Sequence, residues 1–298
     1  MNMMKFSYIL LLSVITGCLC EDNIVQLAGK LGANTLVQLV KAAGLADVLS
    51  SAGPFTVFGP TDEAFASLPP GVVDSLKKDH KLLAQVLEFH VLKGSVFSNQ
   101  IKDEGIVPTL NPAASIRTNI YPWFEPKLVT ATGSPVVLAD QKASNGVIHV
   151  ISRVMFPLPT ENLVATVAKN KDLMTLVKAV TLAKLVKTLS GPDPYTLFAP
   201  TNEAFEKLPA GFLEKLSKNI TALTEVLTYH VIPLTYYSAG LKNLSVKTVE
   251  GNNVTIRVSP DGVKINQARV IVADQSVSNG VFHVIDSVLC PPEVCPSL

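Results

Sequence analysis

The sequence predicts an α+β chain of two tandem domains, each running from helices into a mostly antiparallel sheet. Two long internal repeats lead there, together with a switch from helical to strand patterning inside each repeat. Phe55-Thr-Val-Phe-Gly-Pro-Thr-Asp-Glu-Ala-Phe-Ala-Ser-Leu-Pro69 recurs as Tyr195-Thr-Leu-Phe-Ala-Pro-Thr-Asn-Glu-Ala-Phe-Glu-Lys-Leu-Pro209, 140 positions on. Asp140-Gln-Lys-Ala-Ser-Asn-Gly-Val-Ile-His-Val-Ile recurs as Asp274-Gln-Ser-Val-Ser-Asn-Gly-Val-Phe-His-Val-Ile, 134 positions on. Solenoid units repeat every ~20–50 residues, so a period this long marks whole domains, each with enough chain for its own core. The expected organisation is a signal peptide over 1–20, a first domain over 22–157, a second over 158–291 and a tail over 292–298.

The signal peptide is read from a start carrying Lys5, an apolar run over 6–15, and small residues from Thr16 to Cys20 at the cut. Ile15-Thr-Gly-Cys18 also fits a bacterial lipoprotein signal, with Cys18 acylated. Each domain then opens with a helical region. Leu36, Leu39, Val40 and Ala43 have the spacing of one buried face, repeated by Leu176, Val177, Val180 and Ala183. Gly53-Pro54 and Gly191-Pro192 end these regions. Residues 55–58 and 195–198 read as short strands. Thr61 and Thr201 follow as N-caps, because a threonine hydroxyl accepts from an otherwise unpaired helix N–H. A further helix is expected over 81–91 and again over 222–231. Strands follow, most visibly over 246–249, 253–258 and 263–272. Asn145-Gly146 and Asn279-Gly280 fit tight turns before a last strand, since both residue types accept left-handed angles. Pro157-Leu-Pro159 marks a stiff junction between the domains.

Composition narrows the function. With 25 basic and 24 acidic residues the chain is almost neutral and has no basic run, so nucleic acid and anionic membranes are excluded as expected partners. Low charge favours possible self-association. No segment after the signal is apolar for long enough to form a transmembrane segment, so the mature protein is expected to be secreted and extracellular. Cys290 and Cys295 remain after processing and could close a small disulfide loop. Sequons at Asn219, Asn243 and Asn253, all in the second copy, make glycosylation plausible.

Chemistry-bearing patterns are sparse. Four of the five histidines form repeat pairs, His90 with His230 and His149 with His283. Their neighbours are apolar, which reads as hydrogen-bonded structure rather than a ligand or a base. There is no His-Glu-x-x-His, cysteine cluster, acidic calcium loop, Gly-x-Ser-x-Gly elbow or phosphate-cradling glycine loop. No metal, no cofactor and no enzymatic activity are expected.

Thr-x-Phe-x-Pro-Thr-(Asp/Asn)-Glu-Ala-Phe, paired later in each copy with Asn-Gly-Val-x-His-Val-Ile, resembles the two hallmark segments of fasciclin-like domains. The resemblance covers nearly all of the chain after the signal and is to secreted tandem members of that family. It implies a small sheet packed against a group of helices, and work in cell adhesion or matrix association through an integrin-type cell-surface receptor or a matrix component. It assigns the hallmark Thr61, Thr201, His149 and His283 to structure. Two adhesion motifs carry over, both to the second domain. Asn170-Lys-Asp172-Leu173-Met174 is similar to an Asn-Lys-Asp-Ile-Leu motif, and Tyr229-His230 matches a Tyr-His centre flanked by aliphatic residues. Asp172, Leu173, Tyr229 and His230 are therefore the receptor-binding candidates. The first domain has Lys30-Leu-Gly-Ala-Asn34 and Phe89-His90 instead, and no Arg-Gly-Asp occurs. Against contact by Asp172 stands a helix-capping or solvated role; against Tyr229-His230 stands a place in the core. Two other functions compete: carriage of an apolar small molecule such as a lipid or pigment, and a purely structural, self-associating matrix module. Residues 111–135, with the lone Trp123, match poorly between copies and carry no function read from sequence.

Overall fold

The computed structural model describes residues 22–156 and 158–295; the expected signal peptide, Pro157 and the last three residues lie outside them. The first unit has α1 (Ile24–Lys30), α2 (Asn34–Ala42), α3 (Ala46–Ser50), β1 (Phe55–Pro60), α4 (Asp62–Ala66), α5 (Val72–Lys78), α6 (His80–Phe89) and β2 (Val91–Lys93). It continues with β3 (Gly105–Pro108), β4 (Ser115–Tyr121), β5 (Leu128–Ala131), β6 (Ser134–Ala143) and β7 (Gly146–Ile151). The second repeats this order. Its first part is α7 (Leu163–Ala168), α8 (Met174–Leu182), α9 (Val186–Leu189), β8 (Tyr195–Pro200), α10 (Asn202–Glu206), α11 (Phe212–Lys218), α12 (Ile220–Tyr229) and β9 (Val231–Pro233). Then come β10 (Leu244–Lys247), β11 (Asn253–Ser259), β12 (Gly262–Ile265), β13 (Ala268–Val277) and β14 (Gly280–Ile285).

Each unit holds one seven-stranded sheet, ordered β2-β1-β7-β6-β5-β4-β3 and β10-β11-β12-β13-β14-β8-β9. All pairs are antiparallel except β1–β7 and β8–β14, so the early strand is inserted beside the last one. Helices and strands are therefore not fully separated along the chain. The register of the long β6 against β7 shifts twice, as does that of β13 against β14. Such bulges bend a strand, and each sheet covers two cores. On one face Val57, Ile148 and Val150 pack with Leu36, Leu39, Val86 and Leu87 of the helices. On the other, Phe58 and Ile151 meet Phe89, Leu92, Ile116 and Ala131. The second unit repeats the division.

Several boundaries differ from the sequence reading. The helix expected over 81–91 ends at Phe89, and Val91 already belongs to β2; its counterpart likewise ends at Tyr229. The strand expected over 263–272 is two, β12 and β13, broken at Asn266, whose φ of 52° turns the chain without glycine. The Asn-Gly turns do more than reverse the chain. Asn145 is buried; its Oδ1 accepts from Ile24 N–H at 2.9 Å and its Nδ2 donates to Leu49 and Ser51 carbonyls, both at 2.8 Å, tying two helices to the sheet. Gly146 (φ 152°) lies so close to Phe55 that a Cβ would meet its carbonyl oxygen at 2.0 Å.

Candidate functional site

The repeated hallmark residues are built into the framework. Thr61 Oγ1 accepts from Ala64 N–H and Thr201 Oγ1 from Ala204 N–H, both at 3.1 Å, as helix N-caps. His149 is fully buried. Its Nε2–H donates to the Val96 carbonyl at 2.8 Å and its Nδ1 accepts from Asp140 N–H at 3.2 Å. His283 makes the same pair of bonds, to Tyr236 and Asp274. Burial lowers the pKa of both imidazoles, which stay neutral in one tautomer. Ser98 and Ser238 lie close by, but each hydroxyl donates to the Asp140 or Asp274 carboxylate and not to the imidazole. With both ring nitrogens committed to backbone groups, neither histidine is placed to activate a nucleophile. Among the described residues no group of three or more His, Cys, Asp or Glu side chains could hold a metal ion.

The two adhesion motifs separate sharply. Asp172 is exposed in the 3₁₀ turn Lys171–Leu173 that leads into α8. The capping role is filled by another residue: Thr175 N–H donates to Asn202 Oδ1 at 2.9 Å. Among the described residues the Asp172 carboxylate has no hydrogen-bond or ion-pair partner; its own N–H donates to Asn170 Oδ1 at 2.9 Å. Leu173 is the reverse, fully buried in the helical core of the second unit. Tyr229 and His230 are interior too, at 3% and 1% exposure, which corrects their reading as surface contacts. Tyr229 OH donates to the Asn253 carbonyl at 3.0 Å and accepts from Asn266 Nδ2 at 3.0 Å. His230 Nδ1–H donates to Val226 O at 2.7 Å, and its Nε2 accepts from Leu289 N–H at 2.9 Å. Their aliphatic flanks are the reason: a helix with apolar residues on this stripe turns it inward.

One turn beyond Asp172, an open groove of about 380 Å³ runs between α8, α11 and α12, with Ala179, Leu182, Leu213 and Leu223 along it. Ala179, in its lining, stands where the first copy has the bulkier Leu39. A second apolar cavity lies in the first unit between Ile24, Leu36, Leu49 and Leu87, at about 20 Å³. That is room for about one water, far below what a lipid or pigment requires. Asn219, Asn243 and Asn253 are all exposed. Cys290 and Cys295 are joined in a disulfide, with Cα atoms 5.8 Å apart. No helix among the described residues is long and apolar enough to cross a membrane.

The residues missed by sequence reading lie in the unmatched stretch. Arg117, Asn119, Tyr121 and Trp123 contact the second unit through Thr235, Gly240 and Ser278. A signal for them was present: the repeat spacing falls from 140 to 134 between the two hallmark segments, so the copies differ in length there.

Known proteins match over both halves. The fasciclin domain model matches residues 31–157 and 171–291. Human periostin is 30% identical over 273 residues, covering 91% of this chain and 32% of periostin. Pig transforming growth factor-beta-induced protein ig-h3 is 32% identical over 276 residues, 91% of this chain and 40% of that protein. The chain thus spans about a third to two-fifths of the length of those relatives. The Synechocystis protein sll1483 is 40% identical over 164 residues, 54% of this chain and 91% of its own length. A solved domain pair from the insect cell adhesion molecule fasciclin I aligns with a TM-score of 0.45 at 20% identity, over 89% of this chain and 99% of that one.

Proposed function

The chain belongs to the fasciclin domain family, and from that premise we propose that it is a secreted cell-adhesion or extracellular-matrix protein whose second domain engages an integrin-type receptor through Asp172. The observation that carries this reading is the state of the Asp172 carboxylate, exposed and without an internal partner among the described residues, while Asn202 does the capping at the start of α8. A free carboxylate is a hard oxygen ligand for a divalent cation on a receptor, and one such contact can dominate an interface. Leu173 supports it from below: fully buried, it anchors the turn that holds Asp172 out. Tyr229 and His230 act in this proposal as framework, joining α12 to the second sheet. The first domain has no aspartate at the matching place, where Lys30-Leu-Gly-Ala-Asn34 runs instead.

Cell attachment to the immobilised protein tests this, wild type against Asp172→Ala, with circular dichroism as the folding control. Loss of most attachment with the fold intact, and equal loss of wild-type attachment on chelating divalent cations, is expected. Attachment unchanged by Asp172→Ala removes that residue from the site. No attachment by either protein overturns the receptor reading and favours a structural, self-associating matrix module.

A further inference from the structure

The two copies fall out of step between Asp103 and Asp140, and the strand registers locate where. Asp103 Oδ1 accepts from Ile120 N–H as Asn243 Oδ1 accepts from Val258 N–H. Gly105 faces Thr118 as Leu244 faces Ile256. Between Asp103 and Gly105 the first copy has one residue more, Glu104, at φ 51°, and it has one more again in the turn from Pro108 to Ser115 against that from Lys247 to Asn253. The turn from Tyr121 to Leu128 matches the tight turn from Ser259 to Gly262 and is four residues longer, Trp123 among them.

These additions reach the other domain. The Glu104 carboxylate accepts from Arg117 Nη1 at 2.8 Å and Asn119 Nδ2 at 3.0 Å, and across the boundary from Thr235 N–H at 2.5 Å and Thr235 Oγ1 at 3.0 Å. Arg117 Nη2 donates to the Ser278 carbonyl at 3.2 Å. Tyr121 OH donates to Thr235 O at 3.2 Å and accepts from Tyr237 N–H at 3.0 Å. Trp123 donates to Gly240 O at 3.0 Å and stacks on Tyr236, centroids 6.2 Å apart and planes 11° apart. Arg153 Nη1 donates to Asp274 Oδ2 at 2.7 Å. Two glycines admit the contact: a Cβ on Gly133 would meet the Tyr237 ring at 2.2 Å, and one on Gly240 the Tyr121 ring at 2.3 Å.

The equivalent faces that point away from this contact lack its residues. The second copy has Thr255, Arg257 and Ser259 where the first has Arg117, Asn119 and Tyr121, and Ser287 for Arg153. The first copy has Ser95 for Thr235 and Gln100 for Gly240. A head-to-tail contact between like domains would otherwise extend into a chain of copies. The exposed sequon Asn243 immediately precedes β10, the edge strand of the second sheet, and the exposed Asn253 begins β11 beside it.

We infer that the first domain carries a docking face made from copy-specific insertions and substitutions, whose partner is the 235–240 segment of its own chain, and that it locks the two domains into one rigid body that does not extend to further copies. This is independent of the receptor reading.

The test uses the full chain with a protease site placed between Pro159 and Thr160, cut after folding. The cut wild type is expected to co-elute as one 1:1 particle, at the size of a single uncut chain, with Trp123 emission unchanged. Gly240→Ala is expected to let the halves separate, with red-shifted Trp123 emission and unchanged far-ultraviolet dichroism. Glu104→Ala, a change in an edge loop, is the second variant and is expected to weaken co-elution at low concentration. Separation of the wild-type halves overturns the inference, as does co-elution with unshifted emission in both variants. An uncut wild type that sediments as a dimer or larger species overturns docking confined to one chain.

Discussion

His90 and His230 each close a helix onto the segment that follows the last strand. His90 Nδ1–H donates to Val86 O at 2.7 Å and its Nε2 accepts from Met155 N–H at 3.1 Å. Full burial lowers both imidazoles to about 4, from 6.5 in an open chain. Between those values the unfolded chain binds protons that the folded one refuses, so stability is complete above about pH 6.5 and falls as the pH drops toward 4. Each of the two is expected to remove about 2 kcal/mol by pH 5, with His149 and His283 acting in the same direction. Urea denaturation at pH 7.5 and pH 5.0 measures the loss. His90→Gln is expected to lower stability at pH 7.5 yet flatten its decline with acid; an unchanged decline would show that His90 does not titrate this way. Apolar neighbours pointed both histidines to structure, yet the resemblance also made His230 a receptor-binding candidate, and only the fold shows it inside. The partners, a carbonyl one helical turn back and an N–H 65 residues on, were not legible.

Helix starts were the most legible elements. Thr61 and Thr201 cap α4 and α10 as the Pro-Thr-(Asp/Asn)-Glu pattern predicts, since capping is decided within four residues of chain. Thr61→Ala and Thr201→Ala are each expected to cost about 1 kcal/mol of unfolding free energy, and the cost is to be read by chemical denaturation. Short amphipathic α5 and α11 were not anticipated. Each begins at a left-handed glycine, Gly71 or Gly211, rather than at a side-chain cap. The break between β12 and β13 was missed for a related reason: β-branched residues continue on both sides of it, and only the fold selects the left-handed Asn266.

The contact between domains makes the pair a single mechanical unit. Its polar groups are buried by partners from both sides, Asn119, Thr235 and Tyr121 nearly completely and Arg117 to 7% side-chain exposure beside Glu104. Separating the domains would leave the Arg117–Glu104 pair together in the first domain but strip Glu104 of its bonds from Thr235 and Arg117 of its bond to the Ser278 carbonyl, and the net cost of each lost hydrogen bond to a charged group is about 1.5–3 kcal/mol. Calorimetry of the wild type is expected to show one coupled unfolding transition. Gly240→Ala, which wedges the Tyr121 ring, is expected to split it into two. Two separate wild-type transitions would mean that each domain melts alone. Under the proposed receptor reading, the consequence is a fixed relation between Asp172 and the first domain.

By itself the sequence determined the tandem α+β architecture, the caps and the structural reading of His149 and His283. These follow from local preferences and from the periodicity of burial, which any short window reports. Only the tertiary structure decided that Asp172 is exposed while Leu173, its neighbour, is buried, and that Tyr229 and His230 lie inside. Only it found a purpose for the unmatched stretch around Trp123. Which side of an element meets another domain depends on how two finished surfaces dock, and residues more than a hundred positions apart, such as Glu104 and Thr235, hold no pattern in common until the fold brings them to 2.5 Å.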